Sequence, residues 1–113
     1  MNPEEFRSLA LGLPDAVESA HMDHPDFRVG GKIFASLGPN GDWGMVKLTP
    51  DQQAPLVRGE PDVYKPAAGA WGAKGATIVT LETADWEGVR TVLRIAWRNT
   101  APKRLVRQLD ESL

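Results

Sequence analysis

Chemistry in this chain has to come from a few groups of side chains. His21 and His24 alternate with Asp23 and Asp26, Phe27 and Phe34 are interleaved with Lys32 and Lys47, and Trp71 stands near Lys74 in a glycine-rich stretch. A cationic series, Arg90, Arg94, Arg98, Lys103, Arg104 and Arg107, occupies the C-terminal third. Imidazole and carboxylate together suit first-row divalent metals. On a strand, however, residues three apart point to opposite faces, so His21 and His24 converge only if the chain turns between them, which His24-Pro25 permits. Rings interleaved with cations suit single-stranded nucleic acid, where bases stack and cations follow the phosphates, each stacked base contributing about 1–3 kcal/mol. The C-terminal cations could neutralise phosphates, but arginine on the solvated side of a helix, and near its C-terminus, is favoured without any ligand. Trp71 is expected either as an exposed binding anchor or as a lid folded back on the core, the lid being the simpler reading.

Little here supports catalysis. The chain has no cysteine, which removes thiolate nucleophiles, disulfides and Cys-containing zinc sites. It contains no phosphate-binding glycine loop, no His-Glu-x-x-His and no nucleophile elbow. Ser8, Ser19, Ser36 and Ser112 have no evident base partner in the sequence. The expectation is a non-enzymatic protein with no cofactor and no committed metal site.

A length of 113 residues, 42% of them hydrophobic and 25% charged, fits one globular domain spanning residues 1–113. Residues 1–62 carry five basic and ten acidic side chains, and residues 63–113 carry eight and five, so a net charge of −2 divides into −5 and +3. No apolar run approaches the roughly 20 residues that span a bilayer, and the acidic start Met-Asn-Pro-Glu-Glu has no basic-then-apolar pattern. A cytoplasmic protein with no membrane partner is expected.

The elements that must position these groups follow from punctuation and periodicity. A first helix is expected from Asn2 or Pro3 to Leu11, stopped by Gly12, and an edge strand from Ala16 to Met22. Gly30-Gly31 and Asn40-Gly41 divide residues 27–48 into a three-stranded meander. With Gly30-Gly31 as a two-residue turn, Phe27 opposes Phe34; with the next turn at Asn40-Gly41, Leu37 opposes Gly44 and Ile33 opposes Leu48. Ile33, Ala35, Leu37, Val46 and Leu48 then face the helices, and Phe27, Val29, Lys32, Phe34, Ser36, Met45 and Lys47 form an open face. Thr49-Pro50-Asp51 opens a second helix that ends near Arg58. Residues 64–75 read as loop with a short strand near Tyr64, and a last strand covers Thr77 to Glu82. A long helix capped by Thr83 or Asp85 buries Trp86, Val89, Leu93, Ala96 and Trp97, and a final helix runs from Ala101 to Leu109. Trp43 is expected to be structural.

Several words in this chain, taken together, resemble the MmcQ/YjbR family of small bacterial proteins. They are His24-Pro25-Asp26-Phe27, Val29-Gly30-Gly31-Lys32-Ile33-Phe34-Ala35, Met45-Val46-Lys47-Leu48, Ala96-Trp97-Arg98 and Ala101-Pro102-Lys103-Arg104-Leu105. The resemblance implies an α+β fold similar to frataxin, an antiparallel β-sheet with helices packed on one face. It also implies a double-wing mode of DNA binding, in a family whose members mostly have no assigned function. Trp71-Gly72-Ala73-Lys74-Gly75 matches the family's aromatic and basic loop, whereas Ala76 stands where the family commonly has tryptophan. By analogy with frataxin, iron would be held by acidic surface residues, here Glu4, Glu5, Asp15 and Glu18.

The sequence therefore predicts a nucleic-acid-binding protein that uses Phe27, Lys32, Phe34, Lys47, Trp71, Lys74, Arg98, Lys103 and Arg104. A protein-interaction module or homodimer using the same sheet face is the second expectation, and weak metal binding the third.

Overall fold

The computed structural model describes residues 1–111; residues 112–113, with Ser112, lie outside the described residues. The chain runs α1 (Pro3–Leu11), β1 (Val17–His21), β2 (His24–Val29), β3 (Lys32–Leu37), β4 (Trp43–Lys47), α2 (Pro50–Gly59), β5 (Tyr64–Pro66), α3 (Gly69–Ala73), β6 (Ala76–Thr80), α4 (Trp86–Thr100) and α5 (Lys103–Glu111). All strand pairs are antiparallel, in the order β1-β2-β3-β4-β6-β5. The expected α+β class holds.

Helix starts are set by local chemistry. Asn2 and Glu5, and Thr49 and Gln52, form reciprocal capping boxes at α1 and α2, each with proline in the first turn, and Asp85 caps α4 through the Gly88 amide. α4 lies across β3 and β4 and against α1. Its own Leu93 and Trp97, and Phe6, Phe27, Phe34 and Val46 packed with them in the core, are fully or almost fully buried, each worth roughly 1.5–3 kcal/mol of burial. The Trp97 indole is satisfied, donating to the Pro14 carbonyl at 2.9 Å. Gly44 is required where α1 meets the sheet, because a Cβ there would stand 2.7 Å from the Phe6 ring.

The register of β2 against β3 departs from the simple hairpin. Arg28 pairs with Ile33 and Val29 with Lys32, but Phe27 pairs with Ala35, leaving Phe34 as an extra residue between the two registers. This bulge reverses the alternation of one strand half relative to the other. Phe34 and Ala35 both turn into the helix-covered core, while Ile33 moves to the open face, where it lines the groove described below. Phe27, Val29 and Phe34 are therefore core residues and not members of the open face. The expected pairings of Leu37 with Gly44 and Ala35 with Val46 are present.

Other differences are local. β2 begins at His24, joined to β1 by a turn of Met22 and Asp23, both left-handed at φ 49° and 66°; aspartate tolerates that region but methionine does not signal it. The stretch expected to be loop contains α3. α5 starts at Lys103, with Pro102 packed near Gly30 of the β2–β3 turn. Trp86, the first residue of α4, is 45% exposed, its ring covered on one side by the Arg90 guanidinium at 5.8 Å, so it does not join the buried stripe.

Candidate functional site on the open sheet face

Strand alternation sends one set of side chains to the core and the other to a face that the long helices leave open. A groove of about 880 Å³ runs across that face, within the size range of small-molecule pockets. Ile33 of β3, Met45 of β4 and Ile78 of β6 make an apolar floor, with Ser36 among them. Met45 pairs with both Ser36 and Ile78, so three neighbouring strands contribute to one continuous surface.

Aromatic residues close both ends. At one end are His21, His24 and Trp43; at the other are Trp71 of α3, Lys47 and Lys65. The Met22-Asp23 turn makes His21 and His24 a directly facing pair, their rings stacked at 5.8 Å, and His24 meets Trp43 at 6.2 Å in an edge arrangement. The turn between the histidines thus exists, one residue pair earlier than His24-Pro25. Beneath them Asp26 is completely buried. It accepts from Arg28 Nε at 2.8 Å and Nη2 at 3.0 Å, and its Oδ2 lies 2.7 Å from His21 Nδ1. The Arg28 hydrogen bonds, helped by His21, hold the Asp26 carboxyl below the ordinary aspartate range even though burial opposes this.

At the opposite end Trp71 is 68% exposed, and Lys47 Nζ stands 5.6 Å from its ring centroid. Trp71 is not a lid on the core. Its short helix is held from below by Gln53, a buried side chain of α2 whose Nε2 reaches the Gly72 carbonyl at 3.2 Å, the Ala76 carbonyl at 3.0 Å and Thr77 Oγ1 at 3.1 Å. Gly72 has no room for a side chain, since a Cβ there would fall 1.8 Å from the Ala67 carbonyl oxygen. α3 is therefore anchored on its inner side, which leaves Trp71 directed outward.

Of the residues named from sequence, the groove unites Lys47 and Trp71; Lys74 is exposed at the C-terminal end of α3 and does not line it. Phe27 and Phe34 have no exposed surface and cannot stack on a ligand. Lys32 is exposed beside the β2–β3 turn and does not line the groove. Arg98 lies on the outer side of α4 in an ion pair with Asp110, and Lys103 and Arg104 are exposed in the first turn of α5; none of the three reaches the groove. Ile78, Lys65 and Trp43 were not anticipated as site residues. For Lys65 and Ile78 the signal was available, since both follow from the alternation of β5 and β6 once those strands are paired.

Among the described residues no group of three or more His, Cys, Asp or Glu is placed to hold a metal ion. No helix among them is long and apolar enough to cross a membrane.

Fold and groove define an α+β protein whose six-stranded antiparallel sheet is covered by helices on one face and carries a cleft on the other. The YjbR family profile matches residues 11–99, and the chain belongs to that family. A crystal structure of Deinococcus radiodurans protein DR2400, of the DUF419 domain type, is similar in fold, with a TM-score of 0.73 and 23% identity over 84% of this chain and 75% of that one. No curated protein sequence matches the chain.

Proposed function

We propose that this protein is a non-enzymatic binding protein that holds single-stranded nucleic acid in the groove of its open sheet face. The observation that carries the reading is Trp71, two-thirds exposed beside Lys47 at the mouth of an apolar groove. An exposed indole with an adjacent ammonium offers a base a stacking surface and a phosphate a counter-charge in one place. Lys65 extends the cationic lining, Lys74 is exposed three residues beyond Trp71 at the end of α3, and Trp43 gives a second ring at the far end of β4, roughly 13 Å along the strand from Lys47. A duplex cannot lay its bases against this floor, so single strands are preferred.

The test is fluorescence anisotropy of labelled single- and double-stranded oligonucleotides. With about three phosphates neutralised, single-strand affinity should fall about twentyfold between 50 and 200 mM salt, and Lys47→Glu should abolish binding. Absence of binding at low salt, where surface electrostatics are strongest, would overturn the reading. The apolar floor of Ile33, Met45 and Ile78 favours a second reading, a face-to-face homodimer, which predicts a concentration-dependent mass in sedimentation.

A further inference from the structure

We propose that His21 is a phosphate-binding position at the far end of the groove, competent only when its ring is protonated, with the stacked His24 beside it. This rests on the groove being the binding site and adds the position and the condition of one anion contact.

Asp26 is buried, and its carboxylate accepts two bonds from Arg28. An ionised carboxylate can only accept, so the 2.7 Å contact with His21 requires the proton on Nδ1. In the neutral ring Nε2 is then a bare acceptor, which repels a phosphate oxygen. Protonation converts Nε2 to a charged donor without disturbing the Asp26 bond, because Nδ1 already carries its hydrogen. The same nitrogen thus rejects an anion in one state and binds it in the other.

The charge count of the cluster decides what protonation adds. Asp26 is already paired with Arg28 as well as with His21, so the three side chains together carry one net positive charge when His21 is protonated and none when it is neutral. The other groups facing the pair are His24 and Asp23 of the β1–β2 hairpin, Ser36 of β3, and Asp42 and Trp43 at the start of β4. Asp42 is the one acid among them lining the groove, against Lys47 and Lys65 at the other end. The His24 ring stacks beside His21 at 5.8 Å. The His21 side chain is 43% exposed, so both proton and ligand have access.

The experiment measures single-stranded oligonucleotide affinity at fixed salt at about pH 8 and about pH 5.5, on either side of the imidazole range. Wild type should bind about five- to tenfold more tightly at the lower pH, and His21→Gln should lose this rise while keeping its circular dichroism spectrum. Equal affinity at both pH values, or an undiminished rise in His21→Gln, would overturn the proposal. If no oligonucleotide binds at either pH, the nucleic-acid reading fails by itself. Inorganic phosphate then decides, followed by the His21 ring nitrogen resonances: a phosphate-induced shift at Nε2 at low pH alone supports the position, and no shift refutes it.

Discussion

Lys47 and Trp71, 24 positions apart in sequence, meet with the ammonium 5.6 Å from the indole centroid. Lys47 comes from the end of β4, where its alternation aims it to the open face, and Trp71 from a short helix that Gln53 and Gly72 fix against β6. Neither residue supports the core. A single exposed indole is ordinary on a protein surface, but Trp71 is continuous with the apolar floor of Ile33, Met45 and Ile78, and contiguous exposed apolar surface marks an interaction site. The pair is the part of the molecule best suited to contact something else.

Trp71→Ala should therefore weaken oligonucleotide binding by about 1–3 kcal/mol, the worth of one stacked base, while leaving thermal stability almost unchanged. Lys47→Ala should cost less, and the double-mutant cycle should show coupling of about 0.5–1 kcal/mol in the bound state. A melting temperature that drops sharply in Trp71→Ala would identify the indole as a structural element instead.

Phe34→Ala is expected to behave in the opposite way. Phe34 has no exposed surface and fills the core beneath α4, so its truncation should cost about 3–5 kcal/mol and lower the melting temperature by more than about 10 °C. Any binding that survives in the folded fraction should have the wild-type affinity. Selective loss of affinity at full stability would place Phe34 on the ligand.

The contrast between these residues shows what sequence could and could not reveal. Turn residues, caps and helical periodicity placed the long elements nearly correctly, because Gly30-Gly31, Asn40-Gly41, Thr49-Pro50 and Asp85 act within a few residues of themselves. The faces of the sheet were harder to read. A bulge at Phe34 carries no local signature, yet it exchanges Phe34 for Ile33 on the open face and so inverts the aromatic reading of the site. The His21–Asp26–Arg28 cluster was hidden for a related reason, since Asp23 alone is a weak turn signal and the left-handed Met22 beside it is set by the strands it joins and not by its own preference. Lys47 and Trp71 were legible individually; their contact, made across the sheet, was not.

Asp26 should make stability depend on acid. Arg28 and then His21 lower its folded-state pKa, so the stabilisation is complete above the ordinary carboxylate range and is lost as pH falls through the depressed folded value. Asp26→Asn should cost about 1–3 kcal/mol at neutral pH, and its melting curve should converge with wild type as pH drops below about 4. A constant difference down to strongly acidic pH would contradict the assignment of Asp26 as ionised in the fold.

The C-terminal cations should contribute little to the groove. Lys103 and Arg104 begin α5 and do not line the groove. Lys103→Glu/Arg104→Glu should change oligonucleotide affinity by less than about threefold at physiological salt, where charges beyond roughly 8 Å are screened. Lys47→Glu/Lys65→Glu should remove binding altogether. If the α5 variant proves the more damaging of the two, the nucleic-acid surface lies along the helices and the groove serves another partner.

Gln53 offers a separate test of how the site is held. It is buried, and its one amide nitrogen serves two carbonyls and a hydroxyl beneath α3. Gln53→Leu keeps much of the side-chain volume but leaves the Gly72 and Ala76 carbonyls without this donor, at a cost of about 1–3 kcal/mol. Because the bonds converge on the segment that carries Trp71, the loss should be local. Hydrogen exchange should accelerate over residues 67–77 and remain unchanged in β2 and β3, and oligonucleotide affinity should fall although no groove residue has been altered. Uniform acceleration across the whole sheet would instead make Gln53 part of the global core, and the orientation of Trp71 would then have to be maintained by Gly72 and the backbone alone.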